Sequence, residues 1–278
     1  MRYITLRDGR RYNFDRMKIM GIINATYDSF YKDSRVVDLE DAIAKVKKMI
    51  EEGADIIDVG GESTRPGADP VSTEEEIRRV IPLIREIKKI NSSILISVDT
   101  YRAKTAEEAI RAGADIINDI SAMEFDENMA EVVREYKVPV ILMHIKGTPK
   151  NMQDNPEYKD VVKEVKDYFE ERVNYAVSKD IDLNKIILDP GIGFGKKFEH
   201  NIELIKNIEK LRVYNLPMLL AVSRKSSIGI ALGNLPPEER LEGTIAVTCF
   251  AALKGVEMVR VHDVKENKRA ALMIEVLK

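Results

Sequence analysis

ADIIDVG, residues 54–60, is a near-continuous apolar run set between two longer amphipathic stretches. DLEDAIAKVKKMIEEG (38–53) precedes it and STEEEIRRVIPLIREIKKI (72–90) follows, each with apolar residues at helical spacing. Outward from this unit the pattern repeats. Further runs are MKIMGII (17–23), ILISVD (94–99), DIINDI (115–120), VPVILMH (138–144), KIILDP (185–190), PMLLAVS (217–223) and EMVRVHD (257–263), making eight in all. Strands that are apolar on both faces and alternate with helices build a buried parallel sheet. Eight repeats in 278 residues predict an α/β fold closed into a (β/α)8 TIM barrel, which takes about 250 residues. An open doubly wound sheet is the alternative. A local echo agrees with the repeat. Gly53-Ala54-Asp55-Ile56-Ile57-Asp58 returns as Gly113-Ala114-Asp115-Ile116-Ile117-Asn118, although glycines ending two helices would give the same pattern. YITLRDGRRYNF (3–14) reads as a hairpin turning at Asp8-Gly9 that closes the amino end of the barrel. No linker or low-complexity segment divides the chain, so residues 1–278 are expected to form one domain.

Apolar residues are 44% of the chain, enough to fill a barrel and its helix layer. Lys and Arg number 44 against 47 Asp and Glu, with no basic stripe, which argues against a nucleic-acid partner. No apolar run is long enough to span a bilayer, and MRYITLRDGRRYNF lacks a signal peptide's apolar stretch. The single cysteine, Cys249, excludes an intrachain disulfide, and nothing calls for an oxidising compartment, so the expected location is the cytoplasm. Cys249 lies in AVTCFAALKG (246–255), an apolar helical pattern, and reads as a core residue.

The polar residues that end the runs carry the chemistry. They are Asn24; Glu62, Ser63, Thr64 and Arg65; Asp99; Asn118 and Asp119; His144; Asp189; Ser223, Arg224 and Lys225; and Arg260 and His262. In a barrel of this kind the carboxyl ends of the strands converge on one mouth. Helix capping accounts for a single Asp, Asn or Ser there, but capping needs no Lys, Arg or His. Asp99, Asn118 and Asp189 offer acceptors that suit the edge of a flat heterocycle, where a carboxylate takes two parallel N–H bonds. Asn24, Arg260 and His262 come from the first and eighth strands, neighbours once a barrel closes, and suit a phosphate-type anion. Thr64, Arg65, Lys225 and Ser226 surround the entrance. The three histidines are scattered, against a zinc hydrolase site. GIGFGKK (191–197) has no Ser or Thr after Lys196, so it is no nucleoside-triphosphate loop, and reads as a weak phosphate signal or a tight turn. Lys225 could form a Schiff base, but its place in SRKSS, where a helix is expected to start, favours an electrostatic role.

MGIINATYDSF (20–30), GGESTRPGA (60–68), SVDT (97–100), INDIS (117–121), LMHIKGTPKNMQ (142–153), LDPGIGFGK (188–196), SRKSSIG (223–229) and RVHDV (260–264) together resemble the dihydropteroate synthases. The resemblance covers nearly the whole chain and implies a reaction. The amine of 4-aminobenzoate displaces diphosphate from a 6-hydroxymethyl-dihydropterin diphosphate, giving dihydropteroate for folate synthesis. It implies Mg2+ on the diphosphate, a homodimer and sulfonamide sensitivity. By the same resemblance Asp99, Asn118, Asp189 and Lys225 hold the pterin. Asn24, Arg260 and His262 hold the diphosphate, with Asn24 also near the metal. Thr64, Arg65, Phe194 and Ser226 face the aminobenzoate. Asp99, Asp189, Lys225, Arg260 and His262 are the expected catalytic set.

The first two strand-to-helix loops, 23–38 and 60–73, are long against the usual range of about 2–6 residues. They hold Asp28, Asp33, Thr64 and Arg65 and read as lids. Tyr27 stands where the family has proline, and Ser34-Arg35 where it has a glycine pair, which alters backbone freedom in the first loop. A pterin-dependent methyltransferase is the nearest rival, but it has no use for a diphosphate site. A non-catalytic pterin-binding protein is the other, and the motif residues outside the first loop are all present.

Overall fold

The computed structural model describes residues 1–25, 32–64 and 67–278, apart from the side chains of 32–38. Strands β1 (Tyr3–Thr5) and β2 (Arg11–Asn13) pair antiparallel, with Ile4 opposite Tyr12. They form the hairpin expected around Asp8-Gly9. Gly9 takes the positive φ of +84° that the turn needs, and Asp8 accepts from the Arg10 amide at 3.0 Å.

Then strands and helices alternate: β3 (Lys18–Asn24), α1 (Lys32–Glu51), β4 (Ile56–Gly60), α2 (Thr73–Ile90), β5 (Leu95–Asp99), α3 (Ala103–Ala112), β6 (Ile116–Asp119), α4 (Met129–Tyr136), β7 (Val140–Met143), α5 (Val161–Ser178), β8 (Ile186–Asp189), α6 (Phe198–Lys206) and β9 (Leu219–Leu220). Helices α7 (Ser226–Ala231) and α8 (Leu241–Leu253) lead to β10 (Met258–Val261), and α9 (Val264–Leu277) follows. The eight strands β3–β10 are parallel in the order β8-β7-β6-β5-β4-β3-β10-β9. A parallel bridge between Leu188 and Met218 joins the two ends and closes the ring. Each falls on one of the eight apolar runs.

Alternation along each strand sorts its side chains. Ile57, Val59, Ile96, Val98, Ile117, Val140, Leu142, Ile186, Leu188 and Val259 face outward into the cluster shared with the helices. Met20, Ile56, Leu95, Ile116, Ile141, Ile187, Leu219 and Met258 face inward and form the barrel floor, together with Ile4, Leu6 and Phe14 of the hairpin segment. Lys185, just before β8, fastens that plug. Its Nζ donates to the carbonyls of Thr5 (2.7 Å), Leu6 (3.1 Å) and Lys137 (2.7 Å).

Two expectations change. The first strand-to-helix loop is shorter than 23–38, because α1 begins at Lys32. No Gly or Pro between 32 and 38 stops the helix from extending upstream, so Asp33 and Ser34-Arg35 lie on α1. Their side chains, like residues Tyr27 and Asp28, fall outside the described set. Cys249 is half-buried rather than in the core. No helix among the described residues is long and apolar enough to cross a membrane.

Candidate active site

Two residues beyond the floor, the inward positions turn polar. Asp58 on β4, Ser97 on β5, Asn118 on β6, Asp189 on β8 and Arg260 on β10 follow Ile56, Leu95, Ile116, Ile187 and Met258. Arg260 spans this layer. Its Nε donates to Asp58 Oδ2 at 2.6 Å and its Nη2 to Asp99 Oδ2 at 2.7 Å. Asn118 Nδ2 also reaches Asp58 Oδ2, at 3.4 Å. The other oxygen, Asp58 Oδ1, is buried without a partner among the described residues. Burial pushes Asp99 up to about 7. The Arg260 charge opposes this, and Asp58, Glu76 and Asp119 add to it.

Asp189 is buried at the end of β8 and accepts from the Gly191 amide at 2.8 Å. Burial raises its pKa against the pull of Lys225. Lys225 caps the start of α7, donates to the Ile192 carbonyl, and sits 4.8 Å from the Phe194 ring centre. Burial lowers it to about 8, with Asp189 opposing. Ser226, next in the chain, is exposed. Buried Ile120, Met143, Ile145 and Met152, with Tyr101 and Phe194 packed on them, form an apolar wall beside these groups.

Asn24 ends β3 opposite Gly60. A Cβ on Gly60 would stand 3.5 Å from Asn24 Oδ1 and 3.8 Å from Asp99 Oδ2, so the missing side chain leaves space between the two. His262 follows β10 and is exposed, and its backbone N–H donates to Ser223 Oγ at 3.1 Å. Ser223 Oγ is also 3.0 Å from His262 Nδ1. The Ser223 hydroxyl can serve the backbone N–H and the ring together, so it fixes the orientation of the imidazole. Thr64 is partly buried in the β4–α2 loop. Arg65 lies outside the described residues.

Alternation also removes two strand-end residues from the mouth. Asp119 turns outward and is fully buried, accepting from Ser121 N, Ser121 Oγ and Met123 N at 2.7–2.8 Å. His144 turns outward onto the buried ammonium of Lys196, with Nδ1 2.8 Å from Nζ. Lys196 also donates to the carbonyls of Gly191 and Phe194, both at 2.9 Å. GIGFGKK is therefore a turn tied from beneath rather than a phosphate loop. Gly191 is obligatory in it, because a Cβ there would lie 1.9 Å from the His144 carbonyl oxygen. His200 is not simply solvated, since its Nδ1 accepts from the Lys197 amide at 3.1 Å. Sequence reasoning missed Asp58. A charged residue sharing the parity of Ile56 and Gly60 is the signal that would have found it.

The mouth thus holds acceptors at the centre, cations around them and an apolar wall at one side. The sequence profile of the pterin binding enzymes matches residues 20–262. The dihydropteroate synthase of Clostridium beijerinckii is 49% identical over 264 residues, 95% of each chain. The chain belongs to the dihydropteroate synthase family. The synthase of Bacillus subtilis is 45% identical, covering 95% of this chain and 89% of its own. Among solved structures, a sulfonamide drug complex of the Yersinia pestis dihydropteroate synthase superposes with a TM-score of 0.92 at 39% identity. It covers 99% of this chain and 98% of the other. The Xanthomonas albilineans synthase with 7,8-dihydropteroate gives 0.87 at 36% identity, over the same shares.

Proposed function

We propose that this dihydropteroate synthase family member joins 6-hydroxymethyl-7,8-dihydropterin diphosphate to 4-aminobenzoate, releasing diphosphate, in one domain spanning residues 1–278. The observation that carries the reading is the convergence of Asp99, Asn118, Asp189 and Lys225 on one mouth rimmed by Asn24 and His262. It is supported by relatives named dihydropteroate synthase that match 95% of this chain and by a neighbour solved with 7,8-dihydropteroate.

Asp99, Asn118 and Asp189 would accept the N–H groups of the pterin edge, and Lys225 would balance their charge. The C–O bond to the diphosphate breaks and its electron pair leaves with the diphosphate. The positive charge left on the methylene spreads into the pterin, where the Asp99 and Asp189 carboxylates stabilise it. The amine nitrogen then forms the new C–N bond with its lone pair, and the extra N–H proton passes to solvent. Asn24, Arg260 and His262 would hold the leaving group. Arg260, gripped by Asp58 and Asp99, brings its charge between ring and diphosphate. Ile120, Met143 and Ile145 keep water from the cation. Thr64, Arg65, Phe194 and Ser226 would hold 4-aminobenzoate. A neighbouring structure with 4-aminobenzoic acid and another with a sulfonamide drug support 4-aminobenzoate as substrate and sulfonamide sensitivity. Asp28 of the first loop and Asp33 in the first turn of α1 would help to cover the diphosphate.

Mg2+ fits as a companion of the diphosphate. The space at Gly60 is bounded by Asn24 Oδ1 and Asp99 Oδ2, and magnesium keeps waters and phosphate oxygens as most of its ligands. Among the described residues no group of three or more His, Cys, Asp or Glu could hold a metal alone. When bound, the ion neutralises charge on the leaving diphosphate. A homodimer is proposed through α8 and α9, which leave Leu253, Leu272, Met273, Val276 and Leu277 exposed. The cytoplasm is the proposed location. The deciding experiment is diphosphate release from the pterin diphosphate with and without 4-aminobenzoate. Release that requires the amine and yields dihydropteroate supports the reading, and no amine dependence overturns it.

A further inference from the structure

The loop between β4 and α2 is held at its neck by a buried network that uses none of the groups assigned to substrate. Arg102, at the start of α3, is its hub. Its Nη2 donates to Glu62 Oε2 at 2.7 Å, to the Val71 carbonyl at 2.8 Å and to the Tyr101 hydroxyl at 2.9 Å. Its Nη1 donates to Glu76 Oε2 at 3.1 Å. Glu62 Oε2 also accepts from the Val71 amide at 3.0 Å, and Glu62 Oε1 accepts from the Tyr101 hydroxyl at 2.9 Å. Glu62 and Val71 stand at the two ends of the loop, so one guanidinium and one carboxylate close its neck.

We propose that Arg102 and Glu62 are positioning residues for the amine half of the reaction, fixing the loop that carries Thr64 against the wall that carries Phe194. This rests on the proposed placement of 4-aminobenzoate at Thr64 and Phe194. Three observations point from the clamp to that pocket. The Tyr101 ring, bonded to both clamp residues through its hydroxyl, packs on the same apolar cluster as Phe194. It is braced edge-on by Phe125, with ring centres 5.5 Å apart. Farther along the loop, the Gly67 amide donates to the Pro149 carbonyl at 3.3 Å, so the loop also meets the segment after β7. Among the described residues, the pterin acceptors Asn118 and Asp189 take no hydrogen bond from the clamp.

The guanidinium is matched to this task. Its planar fork serves two carboxylates and a carbonyl at once, which a single ammonium cannot do. Glu62 is 9% exposed and Glu76 1%, so a misplaced cation leaves buried anions unpaired and the neck free to open.

The test compares Arg102→Lys, Glu62→Gln and Thr64→Ala with the parent enzyme. For the two clamp variants, KM for 4-aminobenzoate should rise about tenfold, the size of one lost charge-assisted hydrogen bond. Their kcat at saturating amine and their calorimetric Kd for the pterin diphosphate should stay within about twofold. A role confined to folding would lower the melting temperature and the active fraction without moving KM, and that result overturns the proposal. So does an equal weakening of both substrates. If Arg102→Lys does not fold, Glu62→Gln decides, since its amide still offers Tyr101 an acceptor. Thr64→Ala separates the two readings. An unchanged amine KM in that variant removes Thr64 from the amine site whatever the clamp variants do. A raised KM there with unchanged clamp variants overturns the clamp alone.

Discussion

The floor and the mouth of the barrel are built from the same strands, two residues apart. At the floor, Ile56, Leu95, Ile116, Ile187 and Met258 are fully or nearly fully buried, apolar and sealed by the hairpin. One inward step along those strands stand Asp58, Ser97, Asn118, Asp189 and Arg260. The floor gains stability from every side chain. The mouth holds carboxylates whose burial works against their charge, kept in place by cations around them. The contrast shows one scaffold carrying stability and chemistry on adjacent rungs, with little overlap between them.

The largest effect should come from the floor. Ile187→Ala should cost about 2–5 kcal/mol of unfolding free energy in a urea titration, while kcat per folded molecule holds. A loss of kcat at unchanged stability would break the separation. At the mouth the signs should reverse. Asp189→Ala should weaken pterin binding by about 1–3 kcal/mol in calorimetry, yet leave the melting temperature unchanged or raised, because a carboxylate costly to bury is gone. Unchanged pterin affinity would remove Asp189 from the ring site.

Within the mouth, His262→Ala should weaken the pterin diphosphate but not a bare pterin, by about 1–2 kcal/mol. Arg260→Ala should weaken both, since it strips Asp58 and Asp99 of their shared cation. Equal losses for both ligands in the His262 variant would contradict the leaving-group assignment.

The smallest effect is the pH dependence. Asp99 is raised to about 7, so its anion is lost as pH falls through that value. Lys225 is lowered to about 8, so its cation is lost as pH rises through that value. A plot of kcat/KM against pH should therefore be bell-shaped, with its limbs near those two values. A flat profile from pH 6 to 9 would mean that neither charge matters to the free enzyme.

The eight strands beneath the floor were legible in the sequence, because strands buried on both faces must read as apolar runs, but which of their side chains face inward was not. Charged groups at the strand ends were legible too, but not the direction they face. Asp99 and Asn118 point in, whereas Asp119 and His144, one position off in parity, point out to Ser121 and Lys196. Asp58 was hidden because a lone carboxylate inside ADIIDVG looked like part of the strand. The clamp was illegible for another reason. Arg102 meets partners 26 and 40 residues away in sequence, and no local pattern announces such a meeting. The start of α1 was placed too late because the apolar periodicity begins after the helix does.

The hairpin plug also ties the start of the chain to its far end. Thr5 and Lys185 are 180 residues apart, and the floor that receives Ile4, Leu6 and Phe14 includes Leu219 and Met258. The plug leaves the ribosome long before its socket exists. Its socket is complete only once the eighth barrel strand is made, so full sealing of the floor is a long-range closure.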